Sequence, residues 1–262
     1  YYRAGEGLVG SWFALVAYAT TAAASKTGLL SGVTSWVKGL WVTDLTTIPA
    51  TIGLPSWGGV VILAGVTGLV VHRFIVLERS RPAQIQLPAQ RTGLAHLLLE
   101  KQWNPLATGF LVGVVAVIAW PTSWASGRPD GLGITTPSSN LVNLIVTGDV
   151  KRLDWGVLLV LGILLGSYLA AKASGEFRVR VPSAQVIQRS IAGGVLMGIG
   201  AAWAGGCSIG NALVQTSLLS WQGWIALVFQ VLGVGVAAWF LLIRPRQRRR
   251  AERAASRVPA TV

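Results

Sequence analysis

The chain has 262 residues, of which 52% are hydrophobic and 12% charged, with a mean hydropathy of +0.59. That balance is too apolar for an ordinary soluble domain and makes the bilayer the expected solvent. The net charge of +13 does not point to nucleic acid, because one arginine-rich tail carries much of it and no reading module is recognisable.

Apolar stretches of roughly spanning length run from Leu8 to Ala24, Trp57 to Leu77, Pro105 to Pro121, Trp155 to Ala171, Ile191 to Ala204 and Trp224 to Ile243. From Ser190 to Ile243 there is no Asp, Glu, Lys or Arg, so this run enters or crosses the membrane twice. The expected fold is an all-α integral membrane protein, a multi-span bundle with broken or re-entrant helices. Basic residues sort the loops. Arg73, Arg79, Arg81, Arg91 and Lys101 mark one, Lys172, Arg178, Arg180 and Arg189 a second, and the segment Arg244 to Arg257, "RPRQRRRAERAASR", a third. These three are expected on the cytoplasmic side, the tail facing anionic lipid. Thr122 to Asp154 and Cys207 to Trp221 then open toward the other side. No charged leader or cleavage site is legible at Tyr1.

Three interruptions divide the spans. "LWVTDLTTIPATIGLPSWGG" (Leu40 to Gly59) and "GLGITTPSSNLVNLIVTGD" (Gly131 to Asp149) are too polar for crossings, and "AWAGGCSIG" (Ala202 to Gly210) holds the single cysteine. Irregular backbone at membrane depth is tolerated where it is buried in protein or lines a cavity, and transporters place their sites at such breaks.

A helix from about Ser190 to Trp203 is followed by Gly205 and Gly206, which readily supply a left-handed C-cap. Ser208 stands where an N-cap starts a further helix through Asn211. The reading is helix, break, helix, with Cys207 at the break. The second helix aims N–H groups at the break and favours an anion and a thiolate there. A thiol, the Ser208 hydroxyl and the N–H groups of Gly205, Gly206 and Gly210 together suit a soft anion. The alternative also stands: Gly194/Gly198 and Gly206/Gly210 are GxxxG spacings that let helices pack, and a buried cysteine serves as a small hydrophobe. One cysteine, with His72 and His96 far apart, gives no metal-ligand spacing, and no cofactor is expected.

The string "GGVLMGIGAAWAGGCSIGNALVQTSLLSWQGW" (Gly193 to Trp224) resembles the second-half signature of the YeeE/YedE family, membrane proteins associated with uptake of sulfur compounds, thiosulfate above all. "WNPLATGFLVG" (Trp103 to Gly113) and "GLGITTPSSNL" (Gly131 to Leu141) are similar to family segments as well. The resemblance implies two similar halves. It divides the chain into the rest of a first half (1–77), a cytoplasmic linker (78–104), a second half (105–243) and a basic tail (244–262). "YYRAGEGLVGSW" (Tyr1 to Trp12) echoes "NALVQTSLLSWQGW" (Asn211 to Trp224), matching Ser11-Trp12 to Ser220-Trp221, so a first-half cysteine motif is expected just ahead of Tyr1. The resemblance further implies a bacterial inner-membrane permease that passes thiosulfate or a similar sulfur anion through a central constriction, handed along by weak hydrogen bonds from cysteine thiols. Of those cysteines, Cys207 is the match here. A TusA-like cytoplasmic sulfur carrier is the partner so implied.

Other candidates are Arg3 and Glu6, which at i, i+3 neutralise one another as a structural pair or face the substrate. Ser138, Ser139 and Asn140, with Asn211, Gln215 and Thr216, either bind an oxyanion or glue helices together. The tryptophans near span ends read as interfacial anchors. Two other functions compete with transport: a membrane scaffold subunit with a docking tail, and a thiol enzyme in which Cys207 accepts sulfur. No histidine close in sequence serves the latter as a base.

Overall fold

The computed structural model describes residues 1–40, 42, 44–79 and 103–247. Most of the 78–104 linker and the tail beyond residue 247 lie outside the described residues, and so do Arg81, Arg91, His96 and Lys101. The helices are α1 (Tyr2–Gly5), α2 (Val9–Lys26), α3 (Ser31–Gly39), α4 (Ile48–Thr51), α5 (Ser56–Arg79), α6 (Pro105–Ala125), α7 (Thr135–Thr147), α8 (Trp155–Ser174), α9 (Ala184–Trp203) and α10 (Trp221–Ala238). A π-helix, Ile209–Gln215, separates α9 from α10, and a second, Trp239–Ile243, extends α10. Among the described residues the only β-pairing is two isolated bridges, Leu8 with Arg180 and Thr47 with Ser220.

Among the described residues, five helices are long and apolar enough to cross a membrane: Ser56–Glu78, Pro105–Ala125, Trp155–Ser174, Ala184–Trp203 and Trp221–Gln247. Their outer faces carry exposed Phe110, Leu165 and Phe229, the pattern of chains whose solvent is lipid. The chain is an all-α, multi-span membrane protein. α2 is the central post and buries Tyr18, Ala19, Ala22, Ala23 and Ser25.

α2 and α9 pack closely because glycine lets them. A Cβ on Gly194 would lie 2.4 Å from the Ala14 carbonyl oxygen, and one on Gly198 would lie 2.8 Å from that of Tyr18. The GxxxG at 194 and 198 is therefore a packing device, as small-residue spacings are between membrane helices. α9 begins at Ala184, ahead of the expected Ser190. Its 20 residues reach roughly 30 Å at 1.5 Å per residue, a full crossing rather than a short half-helix.

Two clasps hold the bundle. At the start of α2, Gly7 takes φ +95° and Leu8 is extended. Arg180 donates its N–H to the Gly7 oxygen at 3.0 Å and accepts that of Val9 at 3.2 Å. At the start of α10, Leu219 takes φ +55° and Ser220 is extended. Ile48 donates to the Leu219 oxygen at 2.9 Å, while Trp221 donates to that of Thr46 at 3.3 Å. The two bridges differ in direction, Leu8 pairing with Arg180 in parallel and Ser220 with Thr47 antiparallel. The first clasp uses residues after α8 and the second uses residues before α4, at opposite ends of α9.

Gly131 to Asp149 differs from its expectation as irregular polar backbone, since α7 occupies Thr135–Thr147. Pro137 falls in its first turn, where a missing N–H costs nothing, and Gly148 ends it at φ +68°. At 13 residues it is too short to span.

Candidate functional site

α9 ends at Trp203, Ala204 turns, and Gly205 takes φ +75°. This is the left-handed step that glycine makes without strain. A Cβ there would also meet the Gln222 amide nitrogen at 2.6 Å. Cys207 follows in irregular backbone and the chain re-forms as the π-helix. The helix-break-helix reading holds, and the second helix is wound with the wider i→i+5 turn that recurs at functional sites.

Asn211 is the fastener of this break. It is 1% exposed, and its Nδ2 donates to the carbonyls of Ala204 at 3.1 Å and Gly206 at 2.8 Å. Its Oδ1 accepts from Gln222 Nε2 at 3.2 Å, and its backbone N–H donates to the Cys207 carbonyl at 2.8 Å. Every polar group of the side chain is engaged, so it shapes the loop. Asn211→Ala leaves the Gly206 carbonyl without that donor, and a loss of about 1–3 kcal/mol is expected. A lower unfolding temperature of the purified protein would show it, and an unchanged one would count against the fastener role.

The break faces the first turn of α7 across a cavity of about 70 Å³ lined by Arg128, Asp130, Leu132 to Thr136, Gly205 to Cys207, Gly210, Asn211 and Gln215. That space holds a few waters or a small ion. The Gly210 N–H, the Thr135 hydroxyl and the N–H groups of Ile134 and Ile209 bear on the Cys207 sulfur. Thr135 in turn accepts from the Tyr18 hydroxyl at 2.8 Å, which frees its own proton for the sulfur. Tyr18 stands near the middle of α2, so the thiol lies close to that depth. The N-terminus of α7 and the start of the π-helix therefore both direct N–H groups at one thiol, the arrangement that favours an anion.

Several sequence candidates fall elsewhere. Gly205, Gly206, Gly210 and Gln215 do meet at the cavity, whereas Ser208 neither lines it nor makes a side-chain cap. Ser138 is buried and bonded to the Ile134 carbonyl and the Tyr1 hydroxyl. Ser139 is 2% exposed, and Asn140 donates to Asp154 at 3.0 Å, tying α7 to the N-cap of α8. These three belong to helix packing. Among the described residues no ion pair joins Arg3 to Glu6. Arg3 donates to the Tyr2 hydroxyl at 3.2 Å, and Glu6 lines a separate cavity of about 330 Å³ with Glu176, Arg178 and Arg180. Thr135, Thr136 and Arg128 line the cavity, and sequence reasoning missed them; Lys26 reaches Thr136 from α2. The threonine pair ahead of a first-turn proline was the available signal.

A multi-span helical membrane protein with a broken helix, and with a thiol placed between converging helix starts, is built as a transporter of small anions. The sulphur transport family model matches residues 1–236, and the chain belongs to that family. It is 48% identical over 259 residues to the thiosulfate transporter TsuA of Escherichia coli, spanning 98% of this chain and 72% of the relative. To TsuA of Spirochaeta thermophila it is 34% identical over 257 residues, 93% of this chain and 71% of the relative.

Proposed function

We propose that the protein is a permease for thiosulfate or a related small sulfur-containing anion, which passes Cys207 at a constriction. The observation that carries the reading is the thiol itself, at a small cavity where N–H groups from two helix starts converge. Both relatives are named thiosulfate transporters, which supports the choice of ion. Conduction needs a site that binds well enough to admit an ion and weakly enough to release it. A thiol, a weak hydrogen-bond donor, suits that balance. The arginine-rich segments argue for an inner-membrane protein with a cytoplasmic C-terminus against anionic lipid, and a TusA-like carrier is the acceptor implied on that side.

Uptake of radiolabelled thiosulfate into proteoliposomes tests the reading. Uptake well above protein-free liposomes is expected. None would remove the permease and leave a scaffold subunit. Gly210 adds a sharper check, since a Cβ there meets no atom within 4 Å and the residue lines the cavity. Gly210→Val is expected to fold and to cut uptake by about tenfold by occupying the ion's space, and normal uptake by this variant would place the path elsewhere.

A further inference from the structure

We infer that Lys26 loads a small oxyanion onto the rim of the Cys207 cavity, at the end of the bundle away from Arg178 and Arg180. The inference rests on the permease reading and adds a binding residue to it. Lys26 lies in the last turn of α2, whose carbonyl end favours a cation, and its side chain is half-buried. Its ammonium donates to the hydroxyl of Thr136, a residue lining the cavity, and among the described residues it forms no ion pair.

Arg128 stands on the same cavity in a different state. Its side chain is 11% exposed, and it donates to the Ser123 hydroxyl at 3.2 Å, the Gly131 carbonyl at 2.9 Å and Asp130 at 3.1 Å. It is built into the loop that walls the cavity. Asp130, the carboxylate whose charge reaches Lys26, is already held by Arg128. The rim therefore has one cation committed to structure and one whose partner is a neutral hydroxyl. An arriving oxyanion can take that hydroxyl's place at Lys26, gaining a charge-assisted hydrogen bond, and then stands one residue from Thr135, which bears on the thiol. Loading would read charge and oxygen, and the thiol would read what passes.

Calorimetric titration of sodium thiosulfate into the detergent-solubilised full-length protein tests this, with uptake measured in parallel. Lys26→Met is expected to weaken binding by about tenfold or more, and Lys26→Arg to keep it within about threefold, since the cation is retained. Lys26→Gln serves as a second neutral variant and should weaken binding alike. Lys26-dependent binding without uptake would support the loading site and reject the permease. Uptake and binding unaffected in both neutral variants would keep the permease and overturn the loading site. An unmodified protein that binds no thiosulfate would overturn both.

Discussion

Replacing Cys207 by serine is expected to lower thiosulfate uptake by about tenfold or more while changing stability by under about 1 kcal/mol. The two side chains are close in size, and the thiol is not part of the fastening. The Ala204 and Gly206 carbonyls are held by Asn211, and the turn itself is set by Gly205. The hydroxyl changes how the passing ion is held. A thiol is a weak donor with a large, polarisable sulfur, whereas a hydroxyl is shorter and binds an oxyanion more strongly. A difference of roughly 1.4 kcal/mol in the hydrogen bond is already a factor of ten in residence, and a site that holds its ion too well stops conducting. Uptake in proteoliposomes, with unfolding temperature as control, reads both halves of the expectation. Normal uptake by the serine variant would remove the thiol from the path.

Gly194→Val has the opposite signature, loss of the fold itself. A Cβ at Gly194 would stand 2.4 Å from the Ala14 oxygen and 3.0 Å from the Ala17 side chain. The nearer obstacle is backbone, which no rotamer change can clear. α2 and α9 must part, and this contact also sets where Tyr18 meets Thr135. The cost is expected to reach or exceed the roughly 3 kcal/mol upper range of overpacking. Size-exclusion profiles of the purified variant should show aggregated or absent protein. Gly193 supplies the control, because a Cβ there meets nothing within 4 Å, so Gly193→Val is expected to purify normally. Equal behaviour of the two variants would mean that the α2–α9 contact is not tight.

Hydropathy made five of the six expected spans legible, because a run without charges has few fates in water, whereas Leu8 to Ala24 falls on α2, which is not among the five helices long and apolar enough to cross. Glycines at 205 and 206 likewise announced the break, since a left-handed turn between two apolar helices asks for that residue. The short α7 was hidden: its Thr, Ser and Asn content reads as loop, yet Ser138 is buried because the Ile134 carbonyl one turn back and the Tyr1 hydroxyl receive it. Asn211 was legible as a site residue but not in its role, which depends on carbonyls exposed only once Gly205 has turned the chain. Lys26 and Arg128 come from segments far from Cys207 in sequence, and no local pattern brings them there.

The alkylation rate of Cys207 by iodoacetamide, with and without thiosulfate, measures directly whether the ion meets the thiol. Thiosulfate bound in the cavity should slow alkylation in proportion to its occupancy, over the concentrations that drive uptake. A rate unchanged at concentrations that saturate uptake would mean that the ion crosses without passing Cys207.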